Sequence, residues 1–274
     1  MNELPFIKMH GLGNDYVYID CFNTSVADFV AQTDIPALAR RLSDRHLGIG
    51  SDGMVLMLPC MNADAQMRIF NADGSEAQMC GNAIRCVGKY LYESGLCVKE
   101  KMSVSTIAGV RELFMQTSNG MVSQVTVNMG APKIAADSLL IEQRDKWDFT
   151  AVNMGNPHAV FFRTEQISDE EMNCWGEYIA THPHFHEGTN VEFVHLRNCR
   201  ELDVRVWERG AGETLACGTG ACAAVVAACA NGKTQSEVVV HLKGGDLLVL
   251  YDANENIVTM KGPATEVFRG IFIL

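Results

Sequence analysis

The chain has 274 residues, 47% of them hydrophobic and 20% charged, and its 33 acidic against 22 basic side chains give a formal net charge of −11. This is the balance of a globular protein of about two domains. The acidic excess, with no basic run, excludes a nucleic-acid backbone as partner, because phosphate binding takes clustered Lys and Arg.

Taken in chain order, alternating apolar residues and Gly/Asn/Asp punctuation predict short strands at FIKMH (6–10), YVYIDC (16–21), MVLMLPC (54–60), QMRIFNA (66–72), MSVSTIAG (102–109) and VSQVTVNMG (122–130). Further strands are predicted at AVNMG (151–155), HAVFFR (158–163), VEFVHLR (191–197), LDVRVWERG (202–210), EVVVHLKGG (237–245), DLLVLYD (246–252) and IVTMKGPATEVFRG (257–270). Helical patterns are fewer: IPALARRLSDRH (35–46), CGNAIRCVGKYLYESG (80–95) ending at Gly95, DEEMNCWGEYIATHP (169–183) with Pro183 beyond it, and LACGTGACAAVVAACANG (215–232) stopped by Asn231-Gly232. No apolar stretch reaches the ~18 residues of a membrane span. The N-terminal MNELPFIKMHGLG lacks the charged-then-apolar pattern of a secretion leader. A cytoplasmic protein whose ten cysteines are reduced is expected. None of the cysteines form a CxxC pair, so neither a zinc ribbon nor a thioredoxin-type centre is indicated, and no metal is expected.

Two of the helices begin alike. FNADGSEAQMCGN precedes one and WERGAGETLACGT the other. Each has an aromatic (Phe70, Trp207) ten residues before a cysteine, a glutamate (Glu76, Glu213) four before it, and a glycine (Gly81, Gly218) after it. A Gly-Asn pair stands earlier in each half, Gly13-Asn14 and Gly155-Asn156. These landmarks, in one order, indicate an internal repeat at the scale of a domain. The expected fold class is α/β (α+β): two similar pseudo-symmetric domains, each a β-barrel-like mixed sheet around a central helix. The boundaries expected are 1–128 plus a returning strand at 263–274, carrying Cys80, and 129–262, carrying Cys217.

The repeat places Cys80 and Cys217 at helix starts, among unpaired N–H groups and the positive end of the dipole. That position is expected to lower a thiol's pKa from its free value of about 8.5. If the two domains present their cysteines to one cleft, one thiolate takes a proton from one face of a carbon. The other thiol returns a proton to the opposite face, and the stereocentre inverts. The helix N-termini would hold a substrate α-carboxylate and stabilise the charge that develops on it.

At this point HGLGNDYVYID, FNADGSEAQMCGNAIRC, MGNPHAV and RVWERGAGETLACGTGACAAV resemble the diagnostic segments of the diaminopimelate epimerases, from Phe6 to the C-terminus. These are pyridoxal-independent, two-cysteine amino-acid epimerases. The resemblance implies interconversion of LL- and meso-2,6-diaminopimelate without a cofactor, in lysine and peptidoglycan precursor biosynthesis. It implies Cys80 and Cys217 as the base/acid pair, with His158 and Glu208 assisting proton traffic. Asn14, Asn71, Asn156, Asn190, Glu208 and Arg209 would contact substrate, and the backbone amides of Gly81, Asn82, Gly218 and Thr219 would cradle the reacting carboxylate. Arg209 can grip a distal carboxylate bidentately. The partner implied is this small molecule alone, with no nucleic acid and no membrane. A homodimer stays open. One departure is Gly53 in GIGSDG, where some members carry glutamine; no side-chain role is assigned there.

Other patterns carry less. GIGSDG matches G-x-G-x-x-G, but a helix precedes it and a strand follows, the reverse of a dinucleotide site. His182, His184 and His186 fit a solvated loop better than a metal site. Cys21, Cys60, Cys86, Cys97, Cys174, Cys199, Cys222 and Cys229 are expected to be inert buried hydrophobes. Two other functions remain open on the sequence: a proline or hydroxyproline racemase of the same two-cysteine group, and a non-catalytic binding or redox-sensing protein that uses Cys80 and Cys217 as a switchable disulfide.

Overall fold

The computed structural model describes residues 2–141 and 145–274, with no side chain described from 138 to 146. The chain divides into two compact units, Met1–Val127 with Gly262–Leu274, and Asn128–Lys261.

In the first unit β1 (Glu3–Gly11) and β2 (Asn14–Asp20) form a hairpin closed by Leu12 and Gly13, both at positive φ. Two-residue turns of that kind match the strand twist. Two helices follow, α1 (Thr24–Ala31) and α2 (Ile35–Ser43). Asn23 and Asp34 cap them, each side chain accepting a first-turn N–H. The chain then returns as β3 (Gly53–Leu58), parallel to β2 with Tyr16 opposite Gly53. β4 (Ala65–Asn71) runs antiparallel to β3, and the two-residue β5 (Glu76–Ala77) folds back on it. Helix α3 (Gly81–Glu93) crosses over to β6 (Lys101–Thr106), parallel to β4. β7 (Gly109–Ser118) and β8 (Met121–Gly130) continue as hairpins.

The second unit repeats the pattern. β9 (Lys133–Ile141) and β10 (Asp145–Asn153) pair antiparallel, and β10 forms a hairpin with β11 (Pro157–Arg163). Helix α4 (Asp169–Ala180) starts with a capping box of Ser168 and Glu171. It leads to β12 (Asn190–Asn198), parallel to β11 with His158 opposite Asn190. Then come β13 (Glu201–Glu208), the short β14 (Gly212–Thr214), helix α5 (Gly218–Ala230) and β15 (Glu237–Leu242), parallel to β13. β16 (Gly245–Asp252) and β17 (Ile257–Gly262) close the unit. The last strand, β18 (Thr265–Ile273), returns to pair antiparallel with β1 in the first unit.

The central strands are covered on both faces. In β2, Val17 and Ile19 join the core beneath α1 and α2, while Tyr18 on the other face donates to Ala83 O of α3. Double coverage explains why GMVLML reads as a continuous apolar run rather than an alternating one. Helices α3 and α5 are the central ones, with eleven and ten of their thirteen residues buried.

The structure adds elements to the sequence reading. Helix α1, the strands β5, β7, β9 and β14, and most of β10 were not expected. IVTMKGPATEVFRG is two strands, broken at Pro263, which lacks the N–H a continuous ladder requires. MSVSTIAG ends as a strand at Thr106, before a turn with Gly109 at positive φ.

Candidate active site

The landmarks of the repeat turn out to be one structural device built twice. Phe70 opposes Glu76 across the β4–β5 hairpin, and Trp207 opposes Glu213 across β13–β14. Each glutamate is clasped by two nitrogens of an arginine on the longer strand, Arg68 to Glu76 at 2.7 and 3.0 Å and Arg205 to Glu213 at 2.7 and 2.9 Å. The clasp fixes the hairpin, and the hairpin delivers the chain to a cysteine at a helix start.

Both cysteines are helix N-caps with extended backbone. Cys80 Sγ accepts from Ala83 N at 3.5 Å, and Cys217 Sγ from Gly220 N at 3.4 Å. Gly81 and Asn82 open α3, and Gly218 and Thr219 open α5, so these four backbone amides stand where a helix binds anions.

In the first unit Asn14, Cys80 and Asn82 come together. Cys80 Sγ lies 3.4 Å from Asn14 Oδ1, and Asn82 Nδ2 donates to the same oxygen at 3.3 Å. Asn14 Nδ2 in turn donates to Asp52 at 2.9 Å, which fixes the amide's orientation. Beneath Asn82 lies the wholly buried Arg85, donating to Asn82 Oδ1, to Gly81 O and to Pro263 O. Asn71 ends β4 opposite Gly53, which itself opposes Tyr16, so three adjacent strand positions present Tyr16, Gly53 and Asn71 in a row. Asn71 donates to Ser75 in the turn. A Cβ at Gly53 would stand 2.1 Å from Phe70 O, so the close backbone approach requires glycine there.

In the second unit the assembly is richer. Cys217 Sγ lies 3.5 Å from Thr219 Oγ1, which accepts from Asn156 Nδ2 at 3.3 Å. Asn156 Oδ1 lies 3.1 Å from His158 Nε2, and His158 Nδ1 is 2.6 Å from Glu192 Oε1. Glu208 accepts from Thr214 at 2.6 Å, and its carboxyl interacts with the Cys217 thiol. Asn190 accepts from Arg209 N at 2.9 Å and donates to Pro157 O. The Arg209 guanidinium donates to Glu187 O at 2.6 Å. By register Asn190 opposes His158 as Gly53 opposes Tyr16.

One sequence expectation is overturned. The helix start does not lower the Cys217 thiol. Burial, followed by the nearby Glu208 and Glu192 carboxylates, pushes it well above its ordinary value, against the pull of Thr219 and the Gly220 N–H. Desolvation is the largest of these effects. Burial likewise raises Glu208, opposed by Thr214, Cys217 and His158.

The remaining cysteines also need correction. Cys21, Cys86, Cys97 and Cys222 are buried, whereas Cys174 and Cys199 are exposed and Cys60 and Cys229 half-buried. Cys174 lies on the outer side of α4 and Cys199 in the β12–β13 turn, where nothing covers a small side chain. His184 contacts Asp137 at 2.8 Å in an exposed setting, and among the described residues no group of three His, Cys, Asp or Glu is placed to hold a metal.

Sequence reasoning missed Glu192, Arg85, Asp52 and Thr214, the residues that hold the others. The available signal was a charge inside an apolar run, Glu192 within NVEFV and Arg85 within NAIRCV.

The family model for diaminopimelate epimerase matches residues 6–135 and 150–267. A diaminopimelate epimerase of Pelotomaculum thermopropionicum is 47% identical, covering 97% of this chain and 98% of its own, and one of Moorella thermoacetica is 45% identical over 99% and 100%. Among solved structures, a hydroxyproline epimerase from Agrobacterium vitis superposes with a TM-score of 0.76 at 16% identity, covering 99% of this chain and 91% of that one. A Bacillus anthracis phenazine biosynthesis protein of the PhzF family reaches 0.74 at 14% identity, covering both chains fully. At those identities the two structures establish the two-domain fold alone. The family model and the full-length relatives go further: the chain belongs to the diaminopimelate epimerase family.

Proposed function

We infer that the protein interconverts LL-2,6-diaminopimelate and meso-2,6-diaminopimelate, as an isomerase of lysine and peptidoglycan precursor biosynthesis. Membership of the family supports the reaction. The observation that carries the site assignment is the pair of cysteine N-caps, Cys80 and Cys217, built at equivalent places in two units by the same clasped hairpin.

In this reading one cysteine, as thiolate, removes the α-proton and becomes a thiol. The other, as thiol, returns a proton to the opposite face and becomes the thiolate. The protein's charge is conserved and the enzyme is left in the mirror protonation state, ready for the reverse direction. The first-turn amides of Gly81, Asn82, Gly218 and Thr219 hold the α-carboxylate while charge builds on it. Glu208 and His158 sit around Cys217 and govern its proton. Asn14, Asn71, Asn156, Asn190 and Arg209 select a substrate with polar groups at both ends. No helix among the described residues is long and apolar enough to cross a membrane, and the cytoplasm is the compartment where such a precursor pathway and reduced thiols coincide.

The test is proton NMR of LL-diaminopimelate with reduced protein in D₂O and no cofactor added. Loss of the α-hydrogen signal with appearance of the meso isomer is the expected result. A folded, reduced protein that exchanges no α-hydrogen overturns the reading, and turnover of proline or hydroxyproline instead would move the chain to the racemase reaction.

A further inference from the structure

Glu192 has no part in the reaction as described, yet it is the most unusual residue near Cys217. Its side chain is completely buried, as is that of His158, and the two approach at 2.6 Å. A carboxylate out of water is costly unless it is paired and hydrogen-bonded. Glu192 Oε2 has no hydrogen-bond partner among the described residues, so the pairing rests on Oε1 and His158 Nδ1. A second feature makes room for it. A Cβ on Gly220 would stand 2.8 Å from Glu192 Oε1, so the second glycine of CGTG keeps open the space the carboxylate occupies. Strand β12 directs its alternate residues Val191 and Phe193 into the core beside α4, which turns Glu192 toward α5. A charged residue, a cleared glycine and a buried histidine thus interlock on the helix face that begins at Cys217.

We propose that Glu192 is a positioning residue: it holds the Nδ1 proton of His158 and so fixes the ring's orientation, with Nε2 toward the Asn156–Thr219–Cys217 chain. The inference rests on the reaction proposed above. An imidazole held at one nitrogen presents the other in a single direction. Without that hold, either nitrogen could face Asn156, and the groups around Cys217 would lose their common register. The substrate itself is not touched, so binding and turnover separate.

The test uses the full chain. In protein labelled with ¹⁵N-histidine, the wild type is expected to show a far-downfield proton coupled to His158 Nδ1, as a short charge-assisted bond gives. Assignment comes from its absence in His158→Gln. Glu192→Gln, nearly isosteric, is expected to move that proton upfield and to lower kcat by about tenfold or more. KM should stay within about twofold, the mark of an interaction that matters after binding. Added to His158→Gln, it should cost nothing further, because one residue acts through the other. Gly220→Ala, which intrudes on the same carboxylate by an independent route, should reproduce the upfield shift and the loss of kcat. A wild-type spectrum without the downfield proton overturns the proposal, whether or not either variant folds. Folded Glu192→Gln with unchanged kcat, or with losses that multiply those of His158→Gln, overturns it equally. Wild-type protein that shows the proton but exchanges no α-hydrogen would remove the reaction while leaving the hydrogen bond in place, so the two readings fail separately.

Discussion

Cys80 and Cys217 each have a structural task as well as a chemical one, because each sulfur caps its helix. The two tasks can be separated by substitution. Serine at either position keeps an acceptor for the capping N–H, but a hydroxyl is far too weak an acid to replace a thiol at neutral pH. Cys80→Ser and Cys217→Ser are therefore expected to unfold within a few degrees of the wild type and to lose about 10²–10⁴-fold in epimerisation. Cys80→Ala and Cys217→Ala should lose as much activity and in addition the cap, at about 0.5–1 kcal/mol. Inversion needs both faces served, so no single variant should retain substantial turnover. A serine variant with near-normal kcat would defeat the two-base assignment. Thermal unfolding beside kcat resolves the two effects.

At the scale of elements, the first unit depends on a charge cluster that ties β1, β2 and the loop before β3. Asp15 of β2 pairs with Lys8 of β1 and, at 2.8 Å, with Arg45, which also reaches Asp52 at 2.8 Å. Lys8 further donates to Gly50 O. Burial would raise the Asp15 carboxyl, but Lys8 and Arg45 outweigh it and hold it below the usual range. A carboxylate so depressed adds stability that is fully present above its unfolded pKa of about 3.9 and is lost as pH falls through the folded value. Asp15→Asn leaves the buried Lys8 short of a partner and should cost about 1–3 kcal/mol at pH 7. The gap between variant and wild type, measured by urea unfolding, should narrow as the pH is taken down through the acid range. A gap that stays constant would mean that Asp15 acts by shape and not by charge.

The same scale explains what could be read in advance. Helices α2 to α5 were legible because their apolar spacing and stop signals agree, and the cysteines because glycine and a repeated hairpin surround them. Helix α1 escaped notice because TSVADFVA is short and carries Thr and Val. In β9, KIAADSLLI breaks the alternation that marks a strand. Asp52, Glu192 and Arg85 were not legible as site residues, since their importance comes from register and burial. Asp52 matters because the loop before β3 brings it to Asn14, and Glu192 because the parallel pairing of β11 with β12 brings it to His158. The thiol pKa of Cys217 was misjudged for the same reason: a helix dipole can be read from sequence, whereas desolvation cannot.

For the whole molecule, the two units share one strand order, but they close it differently. The second unit runs β9-β10-β11-β12-β13-β15-β16-β17 from one continuous stretch of chain. In the first unit the place of β9 is taken by β18, from the far end of the chain. The swap is nearly a closed hairpin, since Glu3 opposes Ile273 and Leu274 N donates to Asn2 O at 3.0 Å. The Phe6 ring packs edge-on against Phe268, and a Cβ on Gly270 would strike it at 2.7 Å. A fragment of residues 128–261 holds every strand of its unit and is expected to unfold cooperatively on its own. A fragment of residues 1–127 lacks β18, leaves β1 as an unpaired edge and uncovers Phe6, so it should not. Placing residues 262–274 ahead of residue 2 through a short glycine-containing loop gives β18 and β1 the chain order of β9 and β10 and should restore cooperative unfolding. Urea titrations and the dispersion of amide NMR signals for the three fragments decide the matter. If residues 1–127 alone unfold as cooperatively as the permuted fragment, the returning strand is an attachment and not part of the unit's fold.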